Sequence, residues 1–261
     1  MNALVYPCKV LLAVLLLGGG VGVQGAVSLS GTRLVFDGQY REVSIEVRNR
    51  GKAEALLQAW LSDPLDDDDT PLNRRNALPF VVTPPLSRLP VGGRQALRVL
   101  YQGTGMPQER ESLVHLYVLE VPRRQDGLHQ LNVAVRQRIN VFYRPIGLEG
   151  DPADTAARLL WTLTHDQADV VLLTVSNPTP YYAALHALRI DGIQLGEHLL
   201  LAPGAHVDLA APTSLLPSAT HRFSYKALTD YGGQRTYCTP LKGQVAVTAR
   251  LLENNSVQDE C

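Results

Sequence analysis

Catalysis needs nucleophiles, bases or metal ligands at recurring spacings, and the seven histidines of this 261-residue chain supply none. His115, His129, His165, His186, His198, His206 and His221 stand singly, without the short repeats that put two imidazoles on one metal. The chain has no His-Glu-x-x-His, no phosphate loop and no Gly-x-Ser-x-Gly elbow. A Gly-x-Gly-x-x-Gly match at Gly20, Gly22 and Gly25 lies in an apolar leader and follows no strand of the mature chain. The aspartate run Asp66 to Asp69 lacks the spaced ligands and closing glutamate of a calcium hand, and reads as a solvated loop. A formal net charge of −1 leaves no basic excess to neutralise phosphates, which argues against a nucleic-acid partner. The reading is therefore of a non-enzyme with no cofactor and no metal. Its chemistry would be recognition, with apolar side chains offered to another chain at period two.

The first 25 residues read as an export signal. Lys9 is the positive flank, Val10 to Leu17 is the apolar run, and Val23-Gln24-Gly25 places small or modest residues ahead of cleavage before Ala26. The run is too short and too rich in glycine for a good membrane span. Processing removes Cys8 and Lys9 and takes the charge to −2. Cys238 and Cys261 remain; they pair with each other, stay free or bond another chain, and the sequence leaves these open.

The elements that must position any site are strands. Val43, Ile45 and Val47 alternate with Ser44, Glu46 and Arg48, the pattern of a half-buried strand. Further strands are expected at Val27 to Phe36 with a break near Gly31, at Ala55 to Leu61, at Gln95 to Tyr101 and at Glu111 to Val121. Trp60 is expected to anchor the core between two sheets. Pro84-Pro85 marks an edge or loop, with a cis bond allowed. Beyond Pro145-Ile146-Gly147, Asp151 to Asp154 opens one helical turn. Strand patterning then resumes at Leu159, Val170 to Val175, Ala184 to Ile190, His206 to Leu209, Arg222 to Leu228 and Gln244 to Leu252. Turns at Asp191-Gly192 and Asp230-Tyr231-Gly232-Gly233 separate them.

The longest alternating stretch runs from Leu131 to Pro145. Leu131, Val133, Val135, Ile139 and Val141 fall on one side; Asn132, Arg136, Arg138 and Asn140 fall on the other. It is about twice a typical strand, so it reads either as a long core strand or as a strand that offers part of its apolar side to another chain.

Six stretches in order carry a resemblance: Thr32-Arg33-Leu34-Val35-Phe36, Thr83-Pro84-Pro85-Leu86-Ser87-Arg88-Leu89, Pro107-Gln108-Glu109-Arg110-Glu111-Ser112-Leu113, Val141-Phe142-Tyr143-Arg144-Pro145, Asn177-Pro178-Thr179-Pro180-Tyr181-Tyr182 and Asp230-Tyr231-Gly232-Gly233. Together the sequence resembles the periplasmic chaperones of the chaperone–usher pathway, the PapD-like pilus-assembly proteins. The resemblance implies an all-β chain of two immunoglobulin-like β-sandwich domains at an angle with a cleft between them. Residues 26–146 would form the first domain, 147–252 the second, and 253–261 a polar tail. It implies a periplasmic location, pilin (fimbrial) subunits and an outer-membrane usher as partners, and a self-dimer that caps the free protein. The short polar loop Arg123 to Gly127 is similar to that of the subgroup serving rod-type pili. The competing reading is an exported two-domain structural adhesin or fimbrial subunit.

The resemblance also assigns roles. Leu131, Val133 and Val135 become a donor strand lent to a pilin that lacks one strand. Burying three aliphatics is on the order of 5–9 kcal/mol before ordering and association costs. Arg33 matches the first of two basic residues that hold the pilin's terminal carboxylate, for which a guanidinium fork is suited. The second, normally lysine, is Asn140 here, so Asn140 gives neutral help or Arg138, on the same strand face, substitutes. Glu111, Arg144 and Asp230 match an interdomain ion triad. Cys238 fits the first member of the family's late cysteine pair, with Cys261 open as the second.

Overall fold

The computed structural model describes residues 26–66, 70–123, 133–165, 170–212, 215, 219–252 and 261. The leader, residues 124–132 with Leu131, and most of the tail lie outside the described residues.

Nine strands build the first sandwich: β1 (Val27–Leu29), β2 (Arg33–Asp37), β3 (Glu42–Asn49), β4 (Ala55–Ser62), β5 (Phe80–Thr83), β6 (Leu86–Leu89), β7 (Arg94–Tyr101), β8 (Ser112–Pro122) and β9 (Val135–Arg144). One sheet has the order β1-β3-β7-β5 and the other β2-β9-β8-β4-β6. Alternation puts Ile45, Val47, Leu97 and Val99 from the first sheet against Phe36, Leu57, Leu116 and Val141 from the second, each 2% exposed or less. The Thr83–Pro84 bond between edge strands β5 and β6 is cis.

Trp60 is not in this core. In β4 the buried residues are Ala55, Leu57 and Ala59, so position 60 points to the outer face. There its ring stacks on Tyr117 with centroids 5.2 Å apart.

The chain then makes a 3₁₀ turn (Pro152–Asp154), opened by Asp151 accepting from the Ala153 N–H at 2.8 Å, and a single helical turn, α1 (Thr155–Arg158). The second sandwich follows: β10 (Leu160–His165), β11 (Val171–Ser176), β12 (Ala183–Ile190), β13 (Ile193–Leu201), β14 (His206–Ala210), β15 (Thr220–Leu228), β16 (Gln234–Lys242) and β17 (Arg250–Leu251). Its sheets are β10-β11-β14 and β13-β12-β15-β16-β17. Trp161 is the central side chain, fully buried and packed 4.5 Å from the Phe223 ring and 5.0 Å from the Tyr225 ring by centroid.

Two strands here were not expected. β13 follows the Asp191-Gly192 turn, whose residues have φ of 48° and 82°, the left-handed pair that a two-residue hairpin requires. β16 replaces the strand expected at Gln244 to Leu252, of which only the two-residue β17 and one bridge, Val247 to Trp161, remain. Cys238 on β16 is buried and disulfide-bonded to Cys261, 23 residues on. Closing a loop of that length is worth roughly 2–4 kcal/mol. Cys238→Ser/Cys261→Ser is therefore expected to lower unfolding stability by about that amount in urea melts, with native protein showing no free thiol at either position.

Candidate functional site

The site is built on β9. Its odd positions Ile139, Val141 and Tyr143 face the first core, 5%, 1% and 3% exposed. Its even positions Arg136, Arg138, Asn140, Phe142 and Arg144 take the opposite face. Pairing is two-sided over only part of its length. β8 runs antiparallel along Val135 to Tyr143, whereas β2 runs parallel only along Asn140 to Arg144. From Val135 to Ile139 the other edge has no strand partner among the described residues, so it presents unpaired N–H and C=O groups. Val133 is 52% exposed and Val135 is half-buried on the core-parity side of that edge.

Arg33 opens β2 directly opposite Asn140. Its guanidinium lies 5.5 Å from the Phe142 ring centroid and donates a long bond, 3.5 Å, to the Leu228 carbonyl of the second sandwich. Burial presses its pKa downward, opposed by the charges of Asp230 and Glu111. It lines a cavity of about 400 Å³ between the sandwiches with Arg144, Tyr182, Asp230, Tyr231 and Arg235. Arg235 is a cation that the sequence reading missed; the residues after Asp230-Tyr231-Gly232-Gly233 were its only signal. Arg138 is exposed and sits opposite Tyr117 on β8; like Asn140 and His115, it is not among the described residues lining that cavity. Asn140 is half-buried between Arg33 on one side and His115 on the other.

Arg144 ends β9 and joins the two sandwiches. It donates to Glu111 Oε1 at 2.7 and 3.0 Å and to Asp230 Oδ2 at 2.9 Å. Glu111 Oε2 accepts from the Tyr182 N–H at 2.8 Å, and the Glu111 N–H donates to the Pro180 carbonyl at 2.8 Å. Burial raises the Glu111 carboxyl above its ordinary range against the pull of Arg144 and the Tyr182 N–H. The bonds to Asp230 and the charge of Glu111 outweigh the effect of burial at Arg144 and hold it firmly protonated. The guanidinium also lies 5.2 Å from the Tyr181 ring centroid, and Phe142 meets Tyr182 across the junction at 5.4 Å between centroids. The structure thus brings Glu111, Arg144 and Asp230 together at the junction, with the Asn177-to-Tyr182 stretch closing over them.

Family models match both halves. Residues 26–149 match the N-terminal domain of the PapD pili and flagellar-assembly chaperones, and residues 154–239 match the C-terminal domain of the PapD pili-assembly chaperones. The chain belongs to the PapD-like pilus-assembly chaperones. This family comprises chaperones, not enzymes, and it is the family whose motifs the sequence carries. A Bordetella pertussis relative, chaperone protein FimB/FhaD, is 33% identical over 82% of this chain and 87% of its own length. The probable fimbrial chaperone LpfB of Escherichia coli O157:H7 is 30% identical over 80% and 85%. Among solved structures, the Pseudomonas aeruginosa CupB2 chaperone superposes with a TM-score of 0.68 at 30% identity, over 82% of this chain and all of that one. The SafB chaperone–SafA pilin structure from Salmonella enterica matches with a TM-score of 0.69 at 25% identity, over 84% of this chain and 97% of that one. The two immunoglobulin-like sandwiches seen here are the fold of this chaperone family.

Proposed function

We propose that this protein is a periplasmic chaperone that captures pilin subunits by donor-strand complementation and passes them to an outer-membrane usher. The open edge of β9 at Val135 to Ile139, with Arg33 at the head of the neighbouring strand, carries the reading. An incoming subunit strand gains backbone partners along that edge, and Leu131, Val133 and Val135 fill its groove at period two. Arg33 fixes the strand's end by its carboxylate, with Asn140 beside it, and so sets the register of the added strand. Export ahead of Ala26 places the chain in the same compartment as unassembled subunits. The free protein covers its own edge by self-association, since an open edge invites pairing.

Co-expression with candidate pilins and purification from the periplasm tests this. A one-to-one complex that shields the pilin from protease supports capture; incorporation of this chain into surface fibres would make it a subunit instead. Val133→Ala/Val135→Ala removes four carbons from the groove at about 0.8 kcal/mol each. Affinity for the pilin is expected to fall about a hundredfold, with the thermal midpoint of the free protein barely moved.

A further inference from the structure

One row of side chains crosses the outer face of the first sandwich at the level of Arg33. Register sets Arg33 opposite Asn140, Asn140 opposite His115, and His115 opposite Ser62. Adjacent strands lie about 4.8 Å apart, so an imidazole stands beside the Asn140 amide and two strands from Arg33. His115 is only 8% exposed, and among the described residues neither ring nitrogen has a hydrogen-bond partner. His221, the other buried histidine, differs: its Nδ1 is held by Asp191 at 2.7 Å. His115 is faced by Tyr117 edge-on from its own strand, ring centroids 6.2 Å apart, by Arg138 from β9 and by Asp63 just beyond β4, with Arg33 on β2 past Asn140. Its ring nitrogens are not among the buried polar atoms that lack a partner, so they reach solvent and stand open to a ligand.

We infer that His115 completes the carboxylate site, supplying the titratable contact that Asn140 does not, so that capture of a free chain end is coupled to protonation of one imidazole. This rests on the reading of Arg33 as the carboxylate anchor. In the free protein burial first, and then Arg138, hold the imidazole below its ordinary basicity, with Asp63 opposing. His115 is therefore neutral at neutral pH and lends one N–H. An arriving carboxylate favours the cation and raises the imidazole pKa. With the bound value above the free one, affinity rises as pH falls through the bound value and levels off below the free value. The slope cannot exceed tenfold per pH unit, because one proton is linked.

The probe is a synthetic peptide of alternating valine and threonine with a free C-terminal carboxylate, set against the same peptide amidated. Titration calorimetry of the intact mature protein is run between about pH 8 and pH 5.5, the range in which an imidazole titrates, in buffers of different ionisation heat. The free-acid peptide is expected to bind about three- to tenfold tighter at the acid end, with net proton uptake, while the amide shows neither. His115→Gln and His115→Phe, the second preserving ring packing, are each expected to flatten the slope and abolish the uptake, with unfolding midpoints confirming that they fold. Unchanged slope and uptake in both variants overturns the role of His115. If Arg33→Ala still removes the preference for acid over amide in that case, the anchor survives and only this inference fails. Equal binding of acid and amide, with Arg33→Ala silent, overturns both.

Discussion

Arg33→Ala is expected to abolish stable pilin capture while leaving the free chaperone folded. The guanidinium is half-buried at the mouth of β2, and among the described residues its only protein hydrogen bond is the 3.5 Å contact with the Leu228 carbonyl. Little native structure depends on it. Its worth lies in what it offers a ligand: a planar fork already partly stripped of water and backed by the Phe142 ring. Removing one partner of a desolvated charge pair costs on the order of 2–5 kcal/mol, so affinity should fall roughly thirtyfold to several thousandfold. Arg33→Lys keeps the charge and loses the fork, and should fall between. Asn140→Ala removes one neutral contact, about 1 kcal/mol or fivefold, and the exposed Arg138 should change affinity less than that. Surface-immobilised chaperone binding a purified pilin measures all four. If Arg138→Ala matches Arg33→Ala, the second anchor is Arg138 after all; if Arg33→Ala binds normally, the terminal carboxylate is not what the site holds.

How much of this was legible depends on parity and on reach. Alternation along Val43 to Val47 and along the stretch ending at Pro145 is a local signal, and the strands and their buried faces follow from it. The same signal was overridden at Trp60, where size argued for the core. Its neighbours Ala55, Leu57 and Ala59 already occupied the inward parity, which leaves position 60 outside. β13 was missed because its side chains are mostly exposed and Gly196 interrupts it; β16 was missed because Pro240 reads as a breaker, although it is tolerated in the pairing with Arg222. In the site, Arg33 and Asn140 were marked by motif resemblance, but their being opposite each other is a matter of register. His115 entered the list of histidines with no role, because nothing in a single strand's sequence says which residue stands across from it. Arg144 finds Glu111 at a separation of 33 residues and Asp230 at 86, and no pattern of either length exists in the chain.

Arg144→Ala tests the junction, and its expected effect on stability is the largest. Glu111 has a side chain 2% exposed, so deleting its cation leaves a carboxylate that neither water nor the Tyr182 N–H alone can satisfy. Breaking a buried pair in this way costs on the order of 3–5 kcal/mol, even where the intact pair adds little over an apolar replacement. Asp230 has a side chain 32% exposed, so Asp230→Asn should cost under about 1 kcal/mol because water screens it. Its effect should instead appear between the sandwiches, as a wider spread of domain orientations in small-angle scattering. Glu111→Gln separates the two roles: it removes the stranded charge while keeping an oxygen for the Tyr182 N–H. Combined with Arg144→Ala, it should recover part of the stability lost in Arg144→Ala alone, and a urea-melt double-mutant cycle gives the coupling. Strong coupling with scattering altered in every variant means that the ion pair fixes the cleft in which Arg33 sits. Additive losses of under about 1 kcal/mol each would instead mean three independent charges, with the cleft held by the Phe142–Tyr182 contact and the Glu111–Pro180 backbone bond.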